Sequence, residues 1–531
     1  MTNAVNVFLN DPNAQGLGIE TVTPPVGKSP FAIPGWTGAG GLFNPGSPEF
    51  EAGQLYVTLT QTYGAWAEFF GADFGWQPGL AALPIFPRAG VALNAYYDRR
   101  GLKFFFNTDA ASGAPIYTSE SGDIIAHECG HAVLDAQHPD YWDSLLGETG
   151  AFHEAFGDVS AILVALANPR VRAAVLAEHA GDLRQSNAVT RLAEQLARAF
   201  VNAGRANLVD APNALRDAVN AFKYRDPDNL PTRAPATQLS SESHNFSRIF
   251  SGAFYDLLVG VYEALRGANA NLAADDALAQ ARGIGGRLIA QGLILAPRGD
   301  APFKAIAVAM LTADQQNFGG AYFAALKKAF VARRILKASE ANALRKNAGA
   351  GHTQTSVGAG VASVPLDVRP SWELSETRVG EDLPSGIRRA LAAPRQAYQL
   401  VGAQTGDDAS RMLYYTAPRQ VELKGADLGV ARGAVVTLMD AVAVRVDRDG
   451  RLVSSHHHKV DRGQTRRVRD HVAKLIERDR VFAGKEGEAV DSGDLIERGQ
   501  PYYVAVDAAG NKRIHRAFIA CGECARRGVA R

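Results

Sequence analysis

In the run SGDIIAHECGHAVLDAQHP, His127, Glu128 and His131 have the types and spacing to hold and use a metal ion. Histidines four apart fall on one face of an α-helix, so both imidazoles can point at one ion. The intervening glutamate stands beside it, placed to take a proton from a water. A catalytic zinc takes three protein ligands and keeps one position open, so a third ligand has to come from elsewhere. The helix-patterned TGAFHEAFGDVSAILVAL supplies Glu154, with Asp158 one turn later on the same face. His153 is the rival, but neighbours on a helix diverge by about 100°, so only one of the two faces the metal; Glu154 is taken as the ligand. A ligating histidine commonly gives its second N–H to a carboxylate. Asp158 is expected to hold one histidine in this way, with a similar supporting role for Asp135, four residues after His131.

Other parts of the chain must position these side chains. Leu55, Leu59, Tyr63 and Trp66 mark an apolar stripe on a helix over Phe50–Phe70. VALNAYYDRRGLKFFF reads as two strands about a DRRG turn. From Asp123 to about Gly267 the pattern is mostly helical, and further helices follow to Leu336. At 531 residues the chain is too long for one core. Residues 1–49 are Gly/Pro-rich and read as an extended or wrapping segment, 50–345 as the domain carrying the candidate site, and 346–370 as a linker. Residues 371–531 read as a smaller α+β domain of unknown role, with strand-turn-strand patterns at GAVVTLMDAVAVRVDRDGRLVSS and PYYVAVDAAGNKRIHRAFIA. Between them QTRRVRDHVAKLIERDRVF reads as a charged amphipathic helix.

A net charge of +1 predicts no general affinity for nucleic acid. No apolar run approaches membrane-spanning length, and no basic-then-apolar leader opens the chain. The expectation is a cytoplasmic protein without nucleic-acid or membrane partners, its oligomeric state left open. Three cysteines cannot build a disulfide framework. Cys129 reads as a small packing residue, Cys521 and Cys524 as reduced thiols, and His456–His458 as an exposed strand end. No clear motif supports a structural Ca2+ site.

Several further segments, in register with the metal motif, make the chain resemble the thermolysin family of zinc endopeptidases from about Phe50 to Leu336. The NAYYDRRGLKFFF segment is similar to that family's edge strand and hairpin, which implies that Asn94 and Ala95 bind the substrate backbone. LRDAVNAFKYRDPDN implies that Arg216 binds a substrate carbonyl, with Tyr224, Asp226, Pro227 and Asp228 following at the family spacing. ESHNFSRIFSGAFYDLL gives His244 the role of steadying the oxyanion, and Tyr141 is the candidate for a second oxyanion donor, in competition with Trp142. The resemblance implies an α+β, two-lobed fold with a mixed N-terminal lobe, a helical C-terminal lobe and the active-site helix between them. It also implies Zn2+ held by His127, His131 and Glu154, with Glu128 as general base in the hydrolysis of a peptide or protein substrate. Three departures stand out. Leu239 occupies the place of the aspartate that usually orients the catalytic histidine, leaving Glu242 or Asp228 for that task. The loop from His131 to Glu154 is a few residues longer, and no inhibitory pro-domain is recognisable. The alternative is a catalytically weakened relative that binds peptides or zinc.

Overall fold

The computed structural model describes residues 4–349 apart from 26–28, 143, 210, 212 and 232–233. It describes 398–520 apart from 406–410, 447–451, 459, 461, 484–494, 496–500 and 507–509. The chain mixes helix and strand, with the helices concentrated between two strand-rich regions. Among the described residues no single helix is long and apolar enough to cross a membrane.

The N-terminal segment holds an ordered hairpin of β1 (Val5–Phe8) and β2 (Ile19–Val22). Alternation puts Val5 and Val7 on one face of β1, and they bury against Tyr56 and Val57. After β3 (Phe31–Ala32) comes α1 (Pro48–Phe70), where Tyr56 and Val57 lie. Ser47 caps this helix by accepting from Phe50 N at 3.2 Å, and Gly71 ends it at φ 78°, a left-handed turn suited to glycine. Next come β4 (Leu83–Phe86), β5 (Ala95–Tyr97), β6 (Leu102–Phe104) and a hairpin of β7 (Phe106–Thr108) with β8 (Pro115–Tyr117). Strands β5, β6, β4 and β3 lie side by side in that order, with β5 antiparallel to β6 across the Asp98–Gly101 turn.

Helices α2 (Gly122–Gln137) and α4 (Gly147–Ala165) follow, separated by the short α3 (Pro139–Trp142). Both long helices are buried along nearly their whole length, charged residues included. They pack closely because two glycines face the partner helix. A Cβ on Gly157 would lie 2.6 Å from the His127 ring, and one on Gly130 would lie 2.5 Å from Ser160 Oγ. The chain continues through α5 (Pro169–Ala177), β9 (Arg191–Leu192), α6 (Glu194–Asn202) and β10 (Arg216–Asp217), which pairs antiparallel with β9. Helices α7 (Ser243–Ala268), α8 (Ala274–Leu295), α9 (Phe303–Asn317), α10 (Phe323–Ala332) and α11 (Ala338–Gly349) complete this part. One apolar core joins the sheet, α1, α2, α4 and α7 to α10, reaching from Phe31 to Ala341. Helix α11 runs four residues into the segment expected as a linker, to Gly349, and the rest of that segment lies outside the described residues.

A second sheet is built from β11 (Gln399–Thr405), β12 (Arg411–Glu422), β13 (Val435–Val446), β14 (Leu452–His458), β15 (Val481–Ala483), β16 (Tyr502–Val506) and β17 (Lys512–Arg516), with α12 (Arg462–Glu477) between β14 and β15. The order is β11-β12-β13-β17-β16-β15, with β14 also on β13. The expected pairs, β13 with β14 and β16 with β17, are both antiparallel. Val468, Val472 and Leu475 of α12 join Leu423, Val436, Val504 and Ile514 in a separate core. His456–His458 lie in β14, and Cys521 and Cys524 lie outside the described residues. A last strand, β18 (Ile519–Ala520), leaves this sheet and pairs with β5.

Candidate metal centre

The i, i+4 spacing on α2 brings the His127 and His131 rings to 4.7 Å between centroids, nearly perpendicular to each other. From α4 the Glu154 carboxylate reaches both, at 3.4 Å from His127 Nε2 and 3.8 Å from His131 Nε2. Ligand atoms at 2.0–2.1 Å around a tetrahedral ion stand about 3.3–3.4 Å apart, so this spacing suits a small tetrahedral cation. Among the described residues, His127 Nε2, His131 Nε2, Glu154 Oε2 and both carboxylate oxygens of Glu128 are buried without a hydrogen-bond partner. Buried polar atoms without partners are rare, and here four residues' worth converge on one point. His127, Glu128 and His131 alone also place ligand atoms within 4.8 Å of one another. Glu154 is the stronger candidate for a third ligand because it comes from a different helix and closes on both imidazoles. Glu128 projects from the residue next to His127.

The second nitrogen of His127 is held as expected. Nδ1 lies 3.1 Å from Asp158 Oδ1, and Asp158 in turn accepts from Arg216 at 2.8 Å and from Ser251 Oγ at 2.8 Å. Burial alone would raise the Asp158 carboxyl, but Arg216 and His127 hold it well below the usual carboxylate range. Burial disfavours a charged His127, yet the Asp158 and Glu154 carboxylates outweigh it and lift the imidazole to about 9. Burial pushes Glu128 up to about 8, with the Glu154 charge adding to it. Burial, reinforced by neighbouring positive charge, keeps His131 well below the usual histidine value.

His244, at the start of α7, directs Nε2 to within 3.4 Å of Glu154 Oε2. Its Nδ1 sits 2.6 Å from Glu242 Oε1. Burial opposes the charged ring, but Glu154 and Glu242 raise it to about 10. Of the two candidates for orienting His244, Glu242 makes the contact, and it also caps α7 through Asn245 N at 3.0 Å. Leu239 packs into the main apolar core.

Other expected residues fall into different places. Asn94 is buried beside β5 and accepts from Ala95 N at 3.0 Å, while Ala95 begins the strand. Asp135 accepts from Tyr97 Oη at 2.9 Å and from Arg99 at 2.6 and 2.9 Å, clamping the end of α2 to β5. The second oxyanion donor does not follow the resemblance. Tyr141 is wholly buried, stacks on His138, and donates its hydroxyl to Pro297 O at 2.6 Å. The competing Trp142 packs edge-on against Tyr97 under the Arg99 guanidinium. His153 is buried with its ring 6.0 Å from that of His131 and, among the described residues, no hydrogen-bond partner on either nitrogen. Two residues that brace elements away from the candidate ligands carry no signal in the sequence. Arg99 belongs to a turn, where no periodicity marks direction, and Arg516 reaches the loop after α3 from some 370 residues away.

No protein-family model matches the chain, and no curated protein matches it significantly.

Proposed function

We propose that this chain is a zinc-dependent endopeptidase with a two-lobed, thermolysin-like arrangement about α2. The carrying observation is the Glu154 carboxylate set between two buried imidazole nitrogens that have no hydrogen-bond partner among the described residues. The order of elements supports the same reading: a sheet in which β5 lies between β6 and the late strand β18, then α2, then α4, then a helical remainder. His127, His131 and Glu154 would hold the ion. Zinc held there would supply a lowered water pKa and a polarised substrate carbonyl. Glu128, buried beside the ligands, takes the proton from the attacking water and returns it to the leaving amine. His244, its other nitrogen fixed by Glu242, donates to the oxyanion, a contribution of roughly 3–4 kcal/mol for one such donor. Arg216 keeps Asp158 and His127 in place and, with Asn94 and the Ala95 backbone, orients an extended peptide.

The test joins metal content to cleavage. The zinc-loaded full chain should cleave casein in a chelator-sensitive way, and Glu128→Gln should retain zinc but lose cleavage. Cleavage at wild-type rate by E128Q would overturn the assignment of the base. Glu154→Ala should lose stoichiometric zinc; full retention would transfer the third ligand to His153.

A further inference from the structure

The edge of β5 that a peptide substrate would need is already paired along Tyr96 and Tyr97, next to Asn94 and Ala95. Strand β5 is bonded to β6 on one side and to β18 on the other, antiparallel, with Ile519 opposite Tyr97 and Ala520 opposite Tyr96. Only Ala517 and Phe518 separate β18 from β17, which sits inside the second sheet. The arm therefore crosses directly from one sheet to the other.

Three contacts seat it. Phe518 is 2% exposed and its ring lies 6.2 Å from that of Tyr96, on β5 itself. Arg516 donates to Trp142 O at 2.9 Å and to Ser144 O at 3.0 Å, in the loop between α3 and α4. A Cβ on Gly150 would lie 3.6 Å from Arg516 Nη1 and 3.0 Å from Ser243 Oγ. Arg516 therefore stands by the gap between α4, one turn before Glu154, and the start of α7, one residue before His244.

An open sheet edge binds an extended peptide through main-chain hydrogen bonds, and two strands cannot use the same edge at once. We propose that the segment Arg516–Ala520 is a built-in occupant of the peptide-binding edge, so that the full chain restricts its own cleft until the arm is displaced or cut. The proposal rests on the peptidase reading for the identity of the competitor, an extended peptide. A tethered occupant competes at an effective concentration on the order of millimolar, so it raises KM and leaves kcat alone.

The experiment uses the zinc-loaded full chain and three variants: Phe518→Asp, which unseats the ring; Ile519→Pro, which breaks the strand pairing; and Arg516→Ala, which frees the arm without altering β18. KM for a fluorogenic peptide should fall roughly tenfold or more in all three, with kcat unchanged. An unchanged KM in all three would overturn the proposal. So would a fall in kcat, which would mean that the arm completes the cleft. A second readout does not need turnover: a fluorescein-labelled peptide with the sequence of Ile514–Ala520 should bind I519P and not the wild type. Equal binding to both would also overturn the proposal. Loss of the peptidase reading looks different: no protein cleaves, yet the labelled peptide still separates variant from wild type.

Discussion

At the scale of single residues, His127 is the hinge of the site because both ring nitrogens are committed. Nε2 faces Glu154 across the proposed zinc position, and Nδ1 faces Asp158. Asp158 also receives Arg216, so one carboxylate fixes an imidazole tautomer and neutralises a buried guanidinium. Asp158→Asn should therefore do two things at once. Zinc affinity, measured by competition with a chelator, should drop roughly 10–100-fold, the usual effect of removing a partner behind a metal ligand. Stability should fall by about 3–5 kcal/mol, because Arg216 keeps its buried charge and loses its counter-ion. A variant with wild-type zinc affinity would show that Asp158 serves only Arg216. The convergence of His127, His131, Glu154 and Asp158 was legible in the sequence because a spacing of four fixes a helix face whatever else surrounds it. Tyr141 was not, since it sits between helices where spacing says nothing about direction, and its hydroxyl goes to Pro297 O.

At the scale of elements, the site depends on how near α4 comes to α2. Gly157 permits that approach: its missing side chain leaves room for the His127 ring, 2.6 Å from where a Cβ would stand. Gly157→Ala should force the ring or the helix to shift, costing about 1–3 kcal/mol and weakening zinc binding together. Gly64 supplies the comparison. It is an exposed position inside α1 with nothing within 4 Å of a Cβ, so Gly64→Ala should stabilise by about 0.5–1 kcal/mol and leave zinc untouched. Urea denaturation with zinc titration of both variants checks the pair, and equal behaviour would remove the close-approach argument. Long periodic helices such as α1 could be read from the sequence within two residues at the N-terminal end. The β1–β2 hairpin was missed because two buried valines in a four-residue strand are too short a pattern. Strand β12 was missed for another reason. It carries Pro418 in its interior, opposite Met439 of β13, and proline within a run argues against a central strand.

At the scale of the whole molecule, the two cores are interlocked through the loop between α3 and α4. Leu145 leaves that loop to join the second core, with Leu423, Leu428 and Val436, and is 5% exposed there. Beside it Ser144 Oγ donates to Asp300 Oδ1 at 2.6 Å, while Gln464 of α12 donates to the other oxygen at 2.5 Å. Lys474 of α12 also pairs with Asp228 at 3.0 Å. The residues between α3 and α4 thus have a structural use that a count of loop length cannot reveal: they plug one core into the other. Leu145→Asp should break this plug, because an unpaired carboxylate in an apolar core is several kcal/mol unfavourable. The wild-type chain should unfold in one calorimetric transition, and L145D should show two, with the part built on β11 to β17 melting first. Zinc binding should persist in L145D, since Leu145 lies between α3 and α4 and not on either helix that carries the candidate ligands. A single, unshifted transition in L145D would mean that Asp300, Lys474 and the β18 pairing hold the halves together without it.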